Sequence, residues 1–154
     1  MWLTDQSNCE LKGPWSESKV IEHIEASKFP MRISVVSSSG WPIIASLWFV
    51  MDSEGIWSAT HKSSQIAKIL CNDSKCGFEI ARETPPYCGI RGQALADINK
   101  DKAETILLSV IDKYQGNRNT SLSKWLLSRV EDEVALRLRP AKIQSWDYTA
   151  RMQK

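Results

Sequence analysis

The segment Ser58-Ala59-Thr60-His61-Lys62-Ser63-Ser64-Gln65 gathers hydroxyl, imidazole and ammonium groups where a strand runs into a helix start. Free amide donors and the positive end of a helix favour an anion such as a phosphate at such a junction. On the helix that follows, Ser64, Gln65 and Lys68 share a face opposite Ile66 and Leu70, so several of them could reach one anion. A capped, solvated helix face has the same pattern. Arg91 shares a strand face with Gln93, Leu95 and Asp97, opposite Ile90, Gly92, Ala94 and Ala96. It reads either as an exposed structural arginine or, with Gly92 admitting a close neighbour, as a ligand or dimer contact. Trp48 reads as core packing, whereas Trp146, placed after the last strand and before Asp147 and Tyr148, has more freedom to face a ligand.

The remaining chemistry is sparse. The chain has no glycine-rich dinucleotide fingerprint, Walker-type phosphate loop, His-Glu-x-x-His helix or nucleophile-elbow serine. The two histidines, His23 and His61, read as surface or capping residues or as a general base. No catalytic residue is assigned. Cys71 and Cys76 lack a nearby histidine pair, so the four cysteines read as ordinary thiols and no metal is expected.

A length of 154 residues suits one domain spanning 1–154, large enough to bury a core without a staple. With 25% charged and 42% hydrophobic residues and a net charge of +2, the chain reads as an ordinary globular protein. Basic and acidic residues interleave, which argues against nucleic acid as a partner. The longest apolar run, Pro42 to Met51, is too short to cross a bilayer, so no membrane association is expected. The opening segment lacks a basic stretch followed by an apolar core, and the cysteines suit a reducing compartment, so a cytoplasmic location is expected.

These residues need a scaffold, and apolar periodicity supplies one. Ser16 caps a short helix carrying Val20, Ile21 and Ile24 on one face. Met31 to Ser39, Pro42 to Met51 and a strand through Thr60 form an antiparallel meander. In the second of these strands Ile43, Ala45, Leu47 and Phe49 alternate with Ile44, Trp48 and Val50, so both faces need cover. Ser63 to Cys71 reads as a helix, and Lys75 to Ala81 and Tyr87 to Asn99 as strands. A longer helix follows, with capping-box spacing at Asp101 and Glu104, a stripe from Ala103 to Tyr114 and an end at Gly116. After a short amphipathic helix carrying Leu122, Trp125 and Leu126, Val134, Leu136 and Leu138 alternate in a last strand. Six strands with few helices predict a closed or nearly closed antiparallel barrel with helical trim.

From Phe29 to Met152 the order MRISVVSSSGWP, ASLWFVMDSEGIWSATHKSSQIAKILCNDSKCGFEIA, PPYCGIRGQALADI and LRPAKIQSWDYTARM resembles the FMN-binding split barrels of the pyridoxamine 5'-phosphate oxidase-like family. The resemblance implies a mainly β (α+β) fold, a six-stranded antiparallel split barrel with short flanking helices. It further implies a homodimer with a flavin in each of two interface grooves, an FMN-dependent oxidoreductase. Leu47, Trp48 and Phe49 match ring-contacting positions, and Ala59 and Thr60 match the strand end at the flavin tail. The helix start with Lys62, Ser64, Gln65 and Lys68 matches the phosphate site, while Trp146 matches a tryptophan that reaches the flavin from the last strand; Arg91 is a further candidate for a flavin or dimer contact. Where the vitamin-converting oxidases carry phosphate-binding cations, this chain has Ile44, Phe49, Gln65 and Ile66, and their substrate-holding C-terminal extension is not matched. Fewer charge-assisted bonds weaken an anion site. The resemblance therefore implies a reaction other than oxidation of pyridoxamine phosphate, with a deazaflavin reductase, or a non-catalytic flavin- or haem-binding or regulatory dimer, as alternatives.

Overall fold

The structure is a computed structural model describing residues 8–154. Its strands are β1 (Glu10–Lys12), β2 (Met31–Val36), β3 (Pro42–Leu47), β4 (Phe49–Asp52), β5 (Gly55–His61), β6 (Lys75–Ala81), β7 (Cys88–Asn99) and β8 (Glu133–Asp147). The helices are α1 (Glu17–Ala26), α2 (Gln65–Asn72), α3 (Ala103–Gln115), α4 (Ser121–Ser128) and α5 (Thr149–Met152). One sheet runs in the order β3-β2-β6-β7-β8-β5-β4, antiparallel throughout, with β1 added parallel to β8. This curled antiparallel sheet with flanking helices is a split barrel. No helix among the described residues is long and apolar enough to cross a membrane.

Among the described residues the sheet has eight strands where the periodicity predicts six. One extra strand is β1, too short to alternate visibly; the other arises because the predicted second strand breaks at Trp48 into β3 and β4. The last strand also runs to Asp147 rather than stopping near Arg139, so Trp146 lies within it. Pro140 hides this continuation. A register shift between Gln93 and Ala94 pairs Ala94 with Pro140 and Gln93 with Lys142, a bulge that takes in a residue without an N–H.

Alternation decides what the barrel encloses. Met31, Ile33, Phe49, Ile56, Ile90 and Leu138 are among the fully buried side chains of the interior. A second apolar layer lies outside the sheet, where Trp57 of β5 and Ala135 of β8 pack under Ile106, Leu107, Val110 and Ile111 of α3. This layer supplies part of the cover that the outer face of the second strand needs. Trp48 and Val50 pack against the α3–α4 layer of their own chain, while Ile44 is 72% exposed. Helix α3 ends as expected at Gly116, whose φ of 63° suits glycine. Its predicted Asp101–Glu104 capping box does not form: the helix starts after Lys102, whose N–H donates to Asn99 Oδ1 at 3.0 Å.

Candidate functional site

The strand break at Trp48 opens a cleft between the sheet and its helical cover. Ser46, Leu47 and Trp48 form one side, Ala59 of β5 the floor, and Leu107, Val110, Leu122 and Leu126 the helical wall, around a volume of about 290 Å³. Trp48 is held in place by stacking on Tyr114 of α3, with ring centroids 5.0 Å apart and planes 4° from parallel. Tyr114 is anchored by its hydroxyl, which donates to the Phe29 carbonyl at 3.0 Å. Into this apolar cleft β8 delivers one charged group, Glu133, only 4% exposed.

Glu133 faces His61 across the β5–β8 ladder, and Arg129 Nε stands 3.2 Å from its Oε1. The contact is ionic rather than an aligned hydrogen bond, because the buried Arg129 N–H has no acceptor in hydrogen-bonding geometry. Burial pushes the Glu133 carboxyl above its ordinary pKa, while Arg129 and His61 pull the other way. The backbone N–H of Ser63 donates to His61 Nδ1 at 3.1 Å, which puts the neutral ring's proton on Nε2. His23 is tied differently: its Nε2 lies 2.9 Å from the Ile80 carbonyl, and burial lowers its pKa, the pattern of a packed structural histidine.

From Ala59 the chain leads directly to the α2 start. Thr60 Oγ1 donates to Ser64 Oγ at 3.2 Å, and Ser64 Oγ accepts the Ala67 N–H, so Ser64 is occupied as the N-cap. Gln65 and Lys68 are exposed and line a groove against the β2–β3 turn at Val36, Ser37 and Ser38. Lys62 is drawn away from this start by an ion pair with Asp132 at 2.7 Å. Phe49 points into the barrel interior and is fully buried, on the opposite side of the strand from Trp48.

Arg91 and Trp146 come together elsewhere. On the outward face of β7 and β8, the Arg91 guanidinium carbon lies 5.9 Å from the Trp146 ring centroid. The Trp146 indole N–H is buried with no acceptor. Arg91 also borders an open depression of about 700 Å³ with Arg32, Ile44, Glu79, Gln93 and Gln144. The expected close neighbour of Gly92 is part of the fold: a Cβ there would meet the Lys142 carbonyl at 2.5 Å and the Phe78 ring at 2.6 Å.

Leu47, Trp48 and Ala59 thus share one cleft, Thr60, Ser64, Gln65 and Lys68 follow at its strand end, and Arg91 with Trp146 forms a second cluster. Sequence reasoning missed Ser46 and Glu133. Glu133 is the first residue of β8, and only the β5–β8 register brings it to Ala59 and His61. All four cysteines are free thiols, and no cluster of metal ligands occurs among the described residues.

No family model and no curated protein matches the chain. Among solved structures it is similar to the conserved hypothetical protein Rv2991 of Mycobacterium tuberculosis, with 22% identity, coverage of 88% of this chain and 86% of that one, and a TM-score of 0.75. It is also similar to an F420 reductase, at 18% identity, 84% and 97% coverage and a TM-score of 0.68. A Listeria innocua protein provisionally assigned as a pyridoxamine 5'-phosphate oxidase gives 16% identity, 84% and 96% coverage and a TM-score of 0.64. These likenesses establish the split-barrel fold.

Proposed function

We propose that the chain is a flavin-binding protein of the pyridoxamine 5'-phosphate oxidase-like family, a homodimer that holds FMN and serves an oxidoreductase reaction other than oxidation of pyridoxamine phosphate. The observation that carries this reading is that Leu47, Trp48 and Ala59, positions the resemblance matches to flavin contacts, share one cleft whose strand leads directly to the α2 start. The candidate residues divide between the Trp48 cleft and the Arg91–Trp146 cluster, a division that suits a site completed by two copies.

The residues present fit a flavin in part. Leu47, Trp48 and Ala59 would hold the apolar ring, and Thr60, Gln65 and Lys68 would meet the phosphate end. With Ile44 exposed, Phe49 in the core and Lys62 paired with Asp132, Lys68 is the main cation left on this segment. The cofactor supplies hydride or electron chemistry when bound; the protein's part is to orient it and exclude water. Helices α3 and α4 wall one side of the cleft, and Trp48 is fixed by Tyr114.

Protein purified from a flavin-supplied host is expected to be yellow, dimeric in sedimentation, and to release FMN on denaturation. A colourless protein with no measurable FMN affinity would overturn the reading. Arg91→Ala is expected to weaken FMN binding at least about tenfold, the effect of losing one charge-assisted contact; unchanged affinity would return Arg91 to a structural role. A deazaflavin is the second reading, favoured by the missing phosphate cations and the likeness to an F420 reductase. Parallel titration of FMN and the deazaflavin separates the two, and mass spectrometry of the co-purifying molecule distinguishes both from haem.

A further inference from the structure

We infer that the cleft beneath α4 takes a small, flat, apolar molecule that presents an N–H donor, and that Glu133 is the acceptor that recognises it. Three observations converge. The space of about 290 Å³ lies between a sheet face and a helix layer, a slot walled by Leu47, Trp48, Leu107, Val110 and Leu126. Such a volume lies just below the usual range of small-molecule sites, about 300–1,000 Å³, so the occupant is small. One carboxylate enters that wall, and Glu133 is 4% exposed. Its one ion-pair partner among the described residues, Arg129, approaches to 3.2 Å without an aligned hydrogen bond, its Nε–H remaining unmet.

A buried carboxylate in apolar surroundings is expensive unless it is paired and hydrogen-bonded. Arg129 supplies charge but not alignment, so the carboxylate retains accepting capacity toward the cleft. That same guanidinium sets the chemical class. A cationic ligand would face Arg129, whereas a neutral N–H meets the carboxylate without that repulsion. A hydrocarbon would satisfy the walls and leave the carboxylate unmet.

The inference deepens the flavin reading and rests on it only in assigning the cleft to the cofactor ring, since isoalloxazine and deazaflavin rings both carry a ring N–H. Its test needs neither. The full chain, freed of any cofactor, is titrated by calorimetry with indole and with indene, a near-isostere lacking the N–H. Indole is expected to bind at least about tenfold more tightly, the usual scale for a hydrogen bond to a charged acceptor. Glu133→Met is expected to erase that preference, Glu133→Gln to reduce it, and Leu122→Trp, filling the mouth, to weaken both probes. Circular dichroism reports whether each variant folds, and Glu133→Gln decides the matter if Glu133→Met does not.

Equal binding of the two probes, binding of neither, or a preference that survives both Glu133 variants would overturn the inference. FMN affinity is measured on the same preparations. Loss of indole preference with FMN binding intact sinks this inference alone, whereas indole preference in a protein indifferent to flavins supports it and sinks the cofactor reading alone.

Discussion

Two outward faces of the same sheet meet opposite fates. Where β4, β5 and the first half of β8 turn outward, Trp57 and Ala135 are sealed beneath α3. Where β2, β6, β7 and the second half of β8 turn outward, Arg32, Glu79, Arg91 and Gln144 line an open depression. The ladder and the inward core are shared, so the difference lies in which residues alternate outward. Apolar ones are held by area removed from water, and charged ones stay solvated and available to a partner. Asp97 sits at the seam, accepting from both Arg137 and Arg139, while Arg137 also lies over the Trp57 ring.

The largest break in this comparison would come from Trp57. It is 1% exposed and its indole N–H donates to Asp52 Oδ1 at 2.8 Å. Trp57→Ala is expected to cost about 3–5 kcal/mol in urea unfolding; a loss below about 1 kcal/mol would show that the helical cover contributes little.

Two glycines sharpen the distinction between inside and outside on the open half. Gly92→Ala should cost about 1–3 kcal/mol, because the added methyl meets backbone and the Phe78 ring. Gly77 faces outward with its nearest neighbour at 3.7 Å, so Gly77→Ala should stay within about 0.5 kcal/mol. Similar losses at both positions would erase the contrast.

The smallest effect is expected at the seam. Hydrogen bonds from Arg139 and then Arg137 lower the Asp97 pKa below its ordinary value of 3.8. A depressed carboxyl pKa adds stability above the unfolded value and loses it as pH falls through the folded one. Asp97→Asn should therefore flatten the stability profile below about pH 4, by less than about 1 kcal/mol because the group is partly exposed. Urea midpoints at pH 5 and pH 3 measure it, and an unchanged slope would exclude Asp97 as a stabilising charge.

Much of this architecture was legible in the residues. Alternation located β2, β6 and β7, Ser16 capped α1 as expected, and the apolar stripe of α3 packed on the sheet. What could not be read depended on partners distant in sequence. Trp48 breaks a continuous apolar run because Tyr114 offers it a stacking face 66 residues later. Pro140 disguised the second half of β8 because the bulge that accommodates it belongs to the pairing with β7. Ser64 was rightly placed at a helix start, yet as its cap it is already committed to Ala67. Glu133 carried no local signal, since it becomes a cleft residue only through register.

The single-residue link between β3 and β4 has a consequence for how the barrel forms. These strands are the two ends of the sheet order, so its opposite edges are consecutive in the chain. Each edge pairs with its sequence neighbour, β3 with β2 and β4 with β5, as local hairpins. Closing the ring therefore requires no separate search between distant edges, and the entropy of that loop is already spent within the Trp48 joint. The slow encounter is left to β8, which must find both β7 and β5 across the intervening helices, so this strand commits the barrel to its topology.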